Sequence, residues 1–186
     1  MALRVDEGQR LDMEFETRDR VSTDEYLRMV GGKTGALLGA SCMIGALIGG
    51  ASDADAERMR EFGMMLGLAF QMQDDWLDTY GDANTFGKPI GGDINNGKKS
   101  WLLVSGLERG GSDAAALAEA MRLPAGDMRV KVVKNIYGRM GLEESCRKDV
   151  AEYSSRAMAA LRATSLDEER REPFRRITDK LTGRRK

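Results

Sequence analysis

The sequence predicts an all-α fold, on three observations. Ala, Met, Leu, Glu, Lys and Arg dominate the chain of 186 residues, and all of them favour helix. Only three prolines interrupt it. No run alternates convincingly between apolar and polar residues over a strand length, whereas apolar rows at helical spacing recur. At 41% hydrophobic and 32% charged residues, the chain can bury one core. Residues 1–186 therefore read as a single domain of about six or seven helices.

The elements follow in order. Gly8–Thr17 (GQRLDMEFET) is a short helix, with Leu11 and Phe15 one turn apart. Ser22-Thr23-Asp24-Glu25 has the form of a capping box and starts a long helix to about Ile48, ended by Gly49 and Gly50. Asp53 is placed to cap the next helix, about Ala54 to Thr79, in which Gly63 and Gly67 would allow close helix contact. Gly81 to Gly97 (GDANTFGKPIGGDINNG) breaks the pattern with its glycines and proline, and loops of this length are usually functional or disordered. Helical signals resume at Lys98. Ser112 can cap a short Ala-rich helix, and Pro124 precedes another that Gly141 ends. Leu142–Ala163 and Pro173–Leu181 complete the set.

Thr34 to Ser52 carries no charge and approaches the roughly 20 apolar residues of a membrane span. It is rich in Gly, Ala and Ser rather than Leu and Ile, and no aromatic residues flank it. A helix buried in a bundle is the better expectation.

Composition closes several function classes. A net charge of −1 gives no global field toward nucleic acid or membrane. The basic C-terminal residues alternate with Asp167, Glu168, Glu169 and Glu172, a solvated helix face. Without histidine there is no imidazole acid–base catalysis, no Ser-His-Asp or Cys-His machinery and no His-ligated zinc. Cys42 and Cys146 form no metal-ligand spacing and suit a reducing compartment. The N-terminus lacks the pattern of a secretory signal, so a cytoplasmic protein is expected.

The chemistry lies in Phe70–Tyr80, FQMQDDWLDTY. Gln71, Asp74 and Asp78 share one helix stripe with Asp75 beside it, while Phe70, Met72, Trp76 and Leu77 occupy the packing faces. Crowded carboxylates repel, and a hard cation with oxygen ligands, Mg²⁺ above all, relieves them. On spacing alone an exposed acidic helix edge fits equally. The following loop favours a site: it carries Lys88, Lys98 and Lys99 among glycines, which suits phosphate. Lys33-Thr34 adds a further cation at the edge of the apolar helix. Acids, lysines and apolar helices together suit a diphosphate ester with an apolar tail. Gly92–Lys98 fits the P-loop spacing, but Lys99 stands where Ser or Thr is needed and no strand precedes it.

FQMQDDWLD followed by GKPIGGDINNGKKSWL resembles the second aspartate-rich motif and lysine loop of the trans-polyprenyl diphosphate synthases, the farnesyl and geranylgeranyl diphosphate synthase family. Gly8–Asp12 is similar to that family's GQ-x-x-D segment, and Tyr26–Thr34, ending in GGKT, to its EYxxMxxxKT helix. The resemblance implies the isoprenoid-synthase helical bundle and Mg²⁺-dependent head-to-tail transfer from an allylic diphosphate to isopentenyl diphosphate, in a homodimer without a membrane span. It implies Asp74 as a magnesium ligand, with Asp75 and Asp78 completing the acidic site and Asp12 supporting it. It also implies Lys33, Lys88 and Lys98 on the diphosphate, with Thr34 and Gln71 along the isoprenoid. The family's first aspartate-rich motif belongs upstream of Gly8, where only MALRVDE stands. The fold is therefore expected to be incomplete on its N-terminal side and the chain alone inactive. Three alternatives are a helical partner subunit of a synthase, a class I terpene cyclase, which Asp78 and the lysine loop disfavour, and a helical domain with no ligand.

Overall fold

A computed structural model describes residues 1–82 and 90–183. Lys88, a predicted diphosphate ligand, lies outside the described residues. Every regular element among the described residues is helical: α1 (Ala2–Glu16), α2 (Thr23–Val30), a π turn (Gly31–Gly35), α3 (Ala36–Ile48), α4 (Asp53–Tyr80), α5 (Gly92–Asn96), α6 (Trp101–Glu108), α7 (Gly111–Ala120), α8 (Asp127–Arg139), α9 (Leu142–Arg162) and α10 (Glu168–Thr182). The all-α expectation is met.

Capping chemistry sets several boundaries. Ser22 and Glu25 form the expected capping box, each side chain taking the other's backbone N–H. At α4 the cap is Ser52 rather than Asp53: its hydroxyl accepts from the Asp55 N–H, and Asp53 falls inside the first turn. Gly110, at φ 71°, leads into α7, so Ser112 lies within the helix. Asp167 accepts from the Arg170 N–H and starts α10 well before Pro173, which the second turn absorbs. The glycine-rich loop hides α5, a single turn held between Gly91 (φ 84°) and Gly97 (φ 65°) in left-handed conformations that glycine adopts without strain.

The long helix α4 is the spine, with α3 and α9 packed along it and α2, α5, α6 and α10 also touching it. One core cluster gathers Tyr26, Leu68, Met72 and Trp76 with Leu102, Leu117, Val133, Tyr137 and Leu142. A second joins Met59, Phe62 and Leu66 to Ala157 and Leu161, with Phe174 edge-on to Phe62 at 5.7 Å between ring centroids. Where α4 meets α3 and the end of the π turn the contact is backbone on backbone: a Cβ on Gly63 would stand 2.5 Å from the Leu38 carbonyl oxygen, and one on Gly67 2.7 Å from the Gly35 Cα.

One expectation fails at α3. Only Ala36 and Gly39 are buried on it, while Leu37, Ile44, Leu47 and Ile48 are exposed. The small residues, not the large ones, face α4, so close backbone packing leaves the apolar side chains outside. The helix from Thr23 to Ile48 is long and apolar enough to cross a membrane by length and composition, and 17% of its most apolar window is buried in the fold.

Candidate active site

Two helices, the π turn and one linker bring the predicted residues together. α4 carries Gln71, Asp74, Asp75 and Asp78. The π turn carries Lys33 and Thr34. Its wider i→i+5 bonding sits where helices often depart from α geometry for function. α1 contributes Asp12, and a glycine seats it there: a Cβ on Gly8 would lie 2.1 Å from the Lys33 backbone nitrogen. With the two backbones in contact, Asp12, one turn beyond Gly8, reaches Lys33, whose Nζ donates to Asp12 Oδ2 at 2.6 Å. Lys98 comes from the linker between α5 and α6.

Asp75 is the node. Its carboxylate is 1% exposed and accepts four hydrogen bonds. Oδ2 takes the Tyr26 hydroxyl at 2.8 Å and the Trp101 backbone N–H at 2.8 Å. Oδ1 takes Gln71 Nε2 at 3.2 Å and Lys98 Nζ at 3.3 Å. Thr34 Oγ1 in turn donates to Gln71 Oε1 at 3.3 Å. Asp75 thus fixes Lys98, Gln71 and the start of α6, and its oxygens face protein donors. Asp74 and Asp78, one turn apart and half-buried, are the α4 acids with the spacing for a cation.

Asp93, not predicted as a site residue, completes the cluster. Its N–H donates to Asp78 Oδ2 at 2.9 Å, and its carboxylate accepts from Lys98 Nζ at 3.0 Å. The available signal was an acid held between glycines, five residues before Lys98 and able to share its ammonium once α5 turns. Tyr26 and the Trp101 N–H, likewise missed as partners of Asp75, become visible only when α2 and α6 pack on α4.

Burial is the largest influence on the ionisable groups of the cluster. Burial pushes Asp93 up to about 6, aided by the Asp75 charge and opposed by Lys98. Burial likewise raises Asp78, although the Asp93 N–H bond favours its ionised form. Burial opposes the Lys98 charge, yet Asp75 and Asp93 hold it protonated above the usual lysine value. Burial, then Asp75, keeps the Tyr26 phenol protonated. The cavity lined by Asp12, Tyr26, Met29, Lys33, Gln71, Asp75 and Lys98 is about 30 Å³, room for water but not for a diphosphate. No three acids among the described residues converge as a ready-made metal cage. Lys33 is instead neutralised by Asp12, and Lys98 by Asp75 and Asp93.

The Asp93 shift has a sign that can be checked. Its folded pKa, about 6, lies above the 3.8 of a free carboxyl. Folding therefore retains a proton that the unfolded chain releases between these values, and stability falls as pH rises through that window. The stability difference between wild type and Asp93→Asn is expected to decline by about 2 kcal/mol from pH 3.5 to 7 and then level off. Urea melts of the two proteins at several pH values measure it, and a difference that rises with pH would contradict the assignment.

An all-α bundle that collects acids and lysines at one end of its central helix defines a class of protein suited to hold anionic phosphates through cations. Comparison with known proteins gives the family. A sequence model of the family described as Polyprenyl synthetase matches residues 1–140. Geranylgeranyl diphosphate synthase of Methanosarcina mazei is 47% identical over 104 residues, 56% of this chain and 32% of that protein. A crystal structure of a geranylgeranyl pyrophosphate synthase superposes with TM-score 0.91 at 35% identity, covering 100% of this chain and 58% of that one. The Corynebacterium glutamicum geranylgeranyl pyrophosphate synthase, solved with isoprenyl diphosphate and magnesium, gives TM-score 0.90 at 28% identity, covering 100% of this chain and 53% of that one. The chain belongs to the polyprenyl synthetase family. Its matched region spans about a third of the curated relatives' length.

Proposed function

We propose that this chain carries the magnesium- and diphosphate-handling half of a prenyl transfer site, in which an allylic diphosphate condenses head-to-tail with isopentenyl diphosphate. The observation that carries the reading is the linked Asp78, Asp93 and Lys98, with Asp74 one turn before Asp78 and Lys33 lining one cavity with Lys98, on a fold shared with a synthase solved with isoprenyl diphosphate and magnesium.

Mg²⁺ held by Asp74 and Asp78 would supply positive charge against the leaving diphosphate. Lys33 and Lys98 would turn from their carboxylate partners to donate to the diphosphate oxygens, a role that the family resemblance also gives to Lys88. When the allylic C–O bond breaks, its electron pair leaves on the diphosphate, where the lysines stabilise the new charge. The isopentenyl double bond then attacks the allylic carbon, and a proton is lost. Thr34 and Gln71, linked to one another, orient the isoprenoid next to the π turn. Asp75 keeps Lys98 and Gln71 in place. Free Cys42 and Cys146 fit the cytoplasmic location we also propose.

Calorimetric titration with Mg²⁺ and a bisphosphonate, a diphosphate mimic, is the test. A saturable heat that needs both components, and is lost in Asp74→Asn and Asp78→Asn, is expected; no heat in the wild type refutes the reading. We further propose that the chain on its own does not complete the reaction, because one pair of α4 acids offers little to hold a metal cluster. Incubation with Mg²⁺, isopentenyl diphosphate and radiolabelled farnesyl diphosphate is expected to yield no extended product.

A further inference from the structure

We propose that Arg129 of α8 is a positioning residue for the acid–lysine cluster: it anchors α5, and through α5 it holds Asp93 and Lys98 against Asp78. The proposal deepens the functional reading and rests on it for the ligand, whereas the anchoring itself is measured in the ligand-free chain.

α5 is five residues long, too short to hold a helical turn on its own. The carbonyls at its end need outside donors, and Arg129 supplies them. Nη1 donates to the Asn95 carbonyl at 3.1 Å and, more weakly, to the Ile94 carbonyl at 3.4 Å. Nε donates to the Leu123 carbonyl at 2.6 Å, and Nη2 reaches the same oxygen. One planar guanidinium therefore ties α5 to the connection between α7 and α8, a span suited to its fork of donors. Two further contacts lie on the same side. The Gly126 N–H donates to Asn95 Oδ1 at 2.9 Å, and a Cβ on Gly91 would stand 2.7 Å from Val130 Cγ1.

The other side of α5 carries the chemistry. The Asp93 N–H donates to Asp78 Oδ2 at 2.9 Å, the Asp93 carboxylate accepts from Lys98 Nζ at 3.0 Å, and the Lys98 N–H donates to the Asp93 carbonyl at 3.0 Å. α5 is thus held between α8 and α4, and a drift away from α4 takes Asp93 and Lys98 with it. One turn along α8 from Val130, Lys134 Nζ donates at 2.8 Å to the carbonyl of Thr79, the residue after Asp78. α8 therefore grips both partners of the Asp78–Asp93 contact. A displacement of about 1 Å is enough to weaken a site built on such contacts. A contact of the same kind far from the cluster provides the control. Arg171 Nη2 donates to the Thr164 carbonyl at 2.8 Å, and the neighbouring Ser165 bonds to Asp55 in the first turn of α4, the opposite end of that helix from Asp78.

The test is amide hydrogen exchange of the ligand-free chain, followed by calorimetric titration with Mg²⁺ and a bisphosphonate, in wild type, Arg129→Met and Arg171→Met. In Arg129→Met the amides of residues 91–98 are expected to exchange about tenfold faster and the bisphosphonate Kd to rise about tenfold, the effect of losing one charge-assisted hydrogen bond. Arg171→Met is expected to lower stability to urea and to leave both readouts at their wild-type values. The proposal is overturned by unchanged exchange at residues 91–98 in Arg129→Met, by an equal acceleration there in Arg171→Met, or by faster exchange with an unchanged Kd. Should Arg129→Met not fold, Arg129→Lys keeps the charge, loses the fork and carries the test: exchange about threefold faster is expected, and no change overturns the proposal. A wild-type chain that gives no heat, with the exchange effect present, supports the anchoring of α5 and overturns the functional reading alone.

Discussion

Replacement of Asp75 by alanine is expected to destabilise the protein by about 3 kcal/mol or more and to abolish the magnesium-dependent heat with a bisphosphonate. The size follows from what the carboxylate holds. Tyr26 is 1% exposed and Trp101 6% exposed, so their O–H and N–H would find no water once the carboxylate is gone. Each stranded donor costs roughly 1–3 kcal/mol. The Trp101 N–H opens α6, whose preceding residue Ser100 makes no side-chain cap, so Asp75 serves as that helix's cap from another helix. Lys98 loses one of two carboxylate partners, a smaller loss because its side chain is 34% exposed. Tyr26→Phe removes one donor and leaves the acid paired, so about 1 kcal/mol is expected. Urea unfolding of the two single variants and the double variant closes a cycle whose coupling should exceed 0.5 kcal/mol. A loss for Asp75→Ala below that of Tyr26→Phe would show that the carboxylate is not the node.

This role for Asp75 marks where sequence reasoning stops. Asp74, Asp75 and Asp78 are alike on paper, because helical spacing groups them without stating which one turns inward. Direction is set by partners distant in sequence: Tyr26 on α2 and the first N–H of α6 draw Asp75 in, and the packing of α5 gives Asp78 to Asp93. Local chemistry, by contrast, was legible. The Ser22–Glu25 box, the glycine stop at Gly49 and the break after Tyr80 depend on near neighbours and fall where the residues put them. Gly91 and Gly97 concealed α5, because glycines that would break a longer helix here supply the left-handed residues bounding a single turn. At α3 the hydrophobicity was correctly seen and its direction was not, since the small residues claimed the packed face.

The pairing of acids and lysines also bears on ligand entry. Asp12, Asp75 and Asp93 occupy the ammonium groups of Lys33 and Lys98, and the cavity that these two lysines line with Asp12 and Asp75 is about 30 Å³. An anion arriving alone must compete with carboxylates already in contact, whereas one arriving with a divalent cation offers those carboxylates a substitute partner. Binding of anion and cation should therefore be mutually dependent, which is why the calorimetric heat is expected only with both present.

The second large effect lies in the α3–α4 contact, and it has an internal control of opposite sign. Glycine to alanine in the middle of a helix is normally favourable by up to about 1 kcal/mol, since alanine restricts the unfolded chain and protects the backbone. Gly45 on α3 meets nothing within 4 Å of its added Cβ, so Gly45→Ala is expected to stabilise the protein by about 0.5–1 kcal/mol. Gly63 on α4 is the contrary case. Its Cβ would stand 2.5 Å from the Leu38 carbonyl oxygen, 2.6 Å from the Leu38 carbonyl carbon and 2.7 Å from the Gly39 Cα, all backbone atoms with no rotamer to move. The helices must separate along their whole contact, and such overpacking costs about 1–3 kcal/mol. Gly63→Ala should lose about 2 kcal/mol net, visible as a lower urea midpoint with an unchanged slope. Separation would also move α4 away from the π turn and stretch the Thr34–Gln71 bond, so binding of magnesium with a bisphosphonate should weaken in Gly63→Ala and stay unchanged in Gly45→Ala. Equal stability effects in the two variants would mean that the helices do not meet through their backbones.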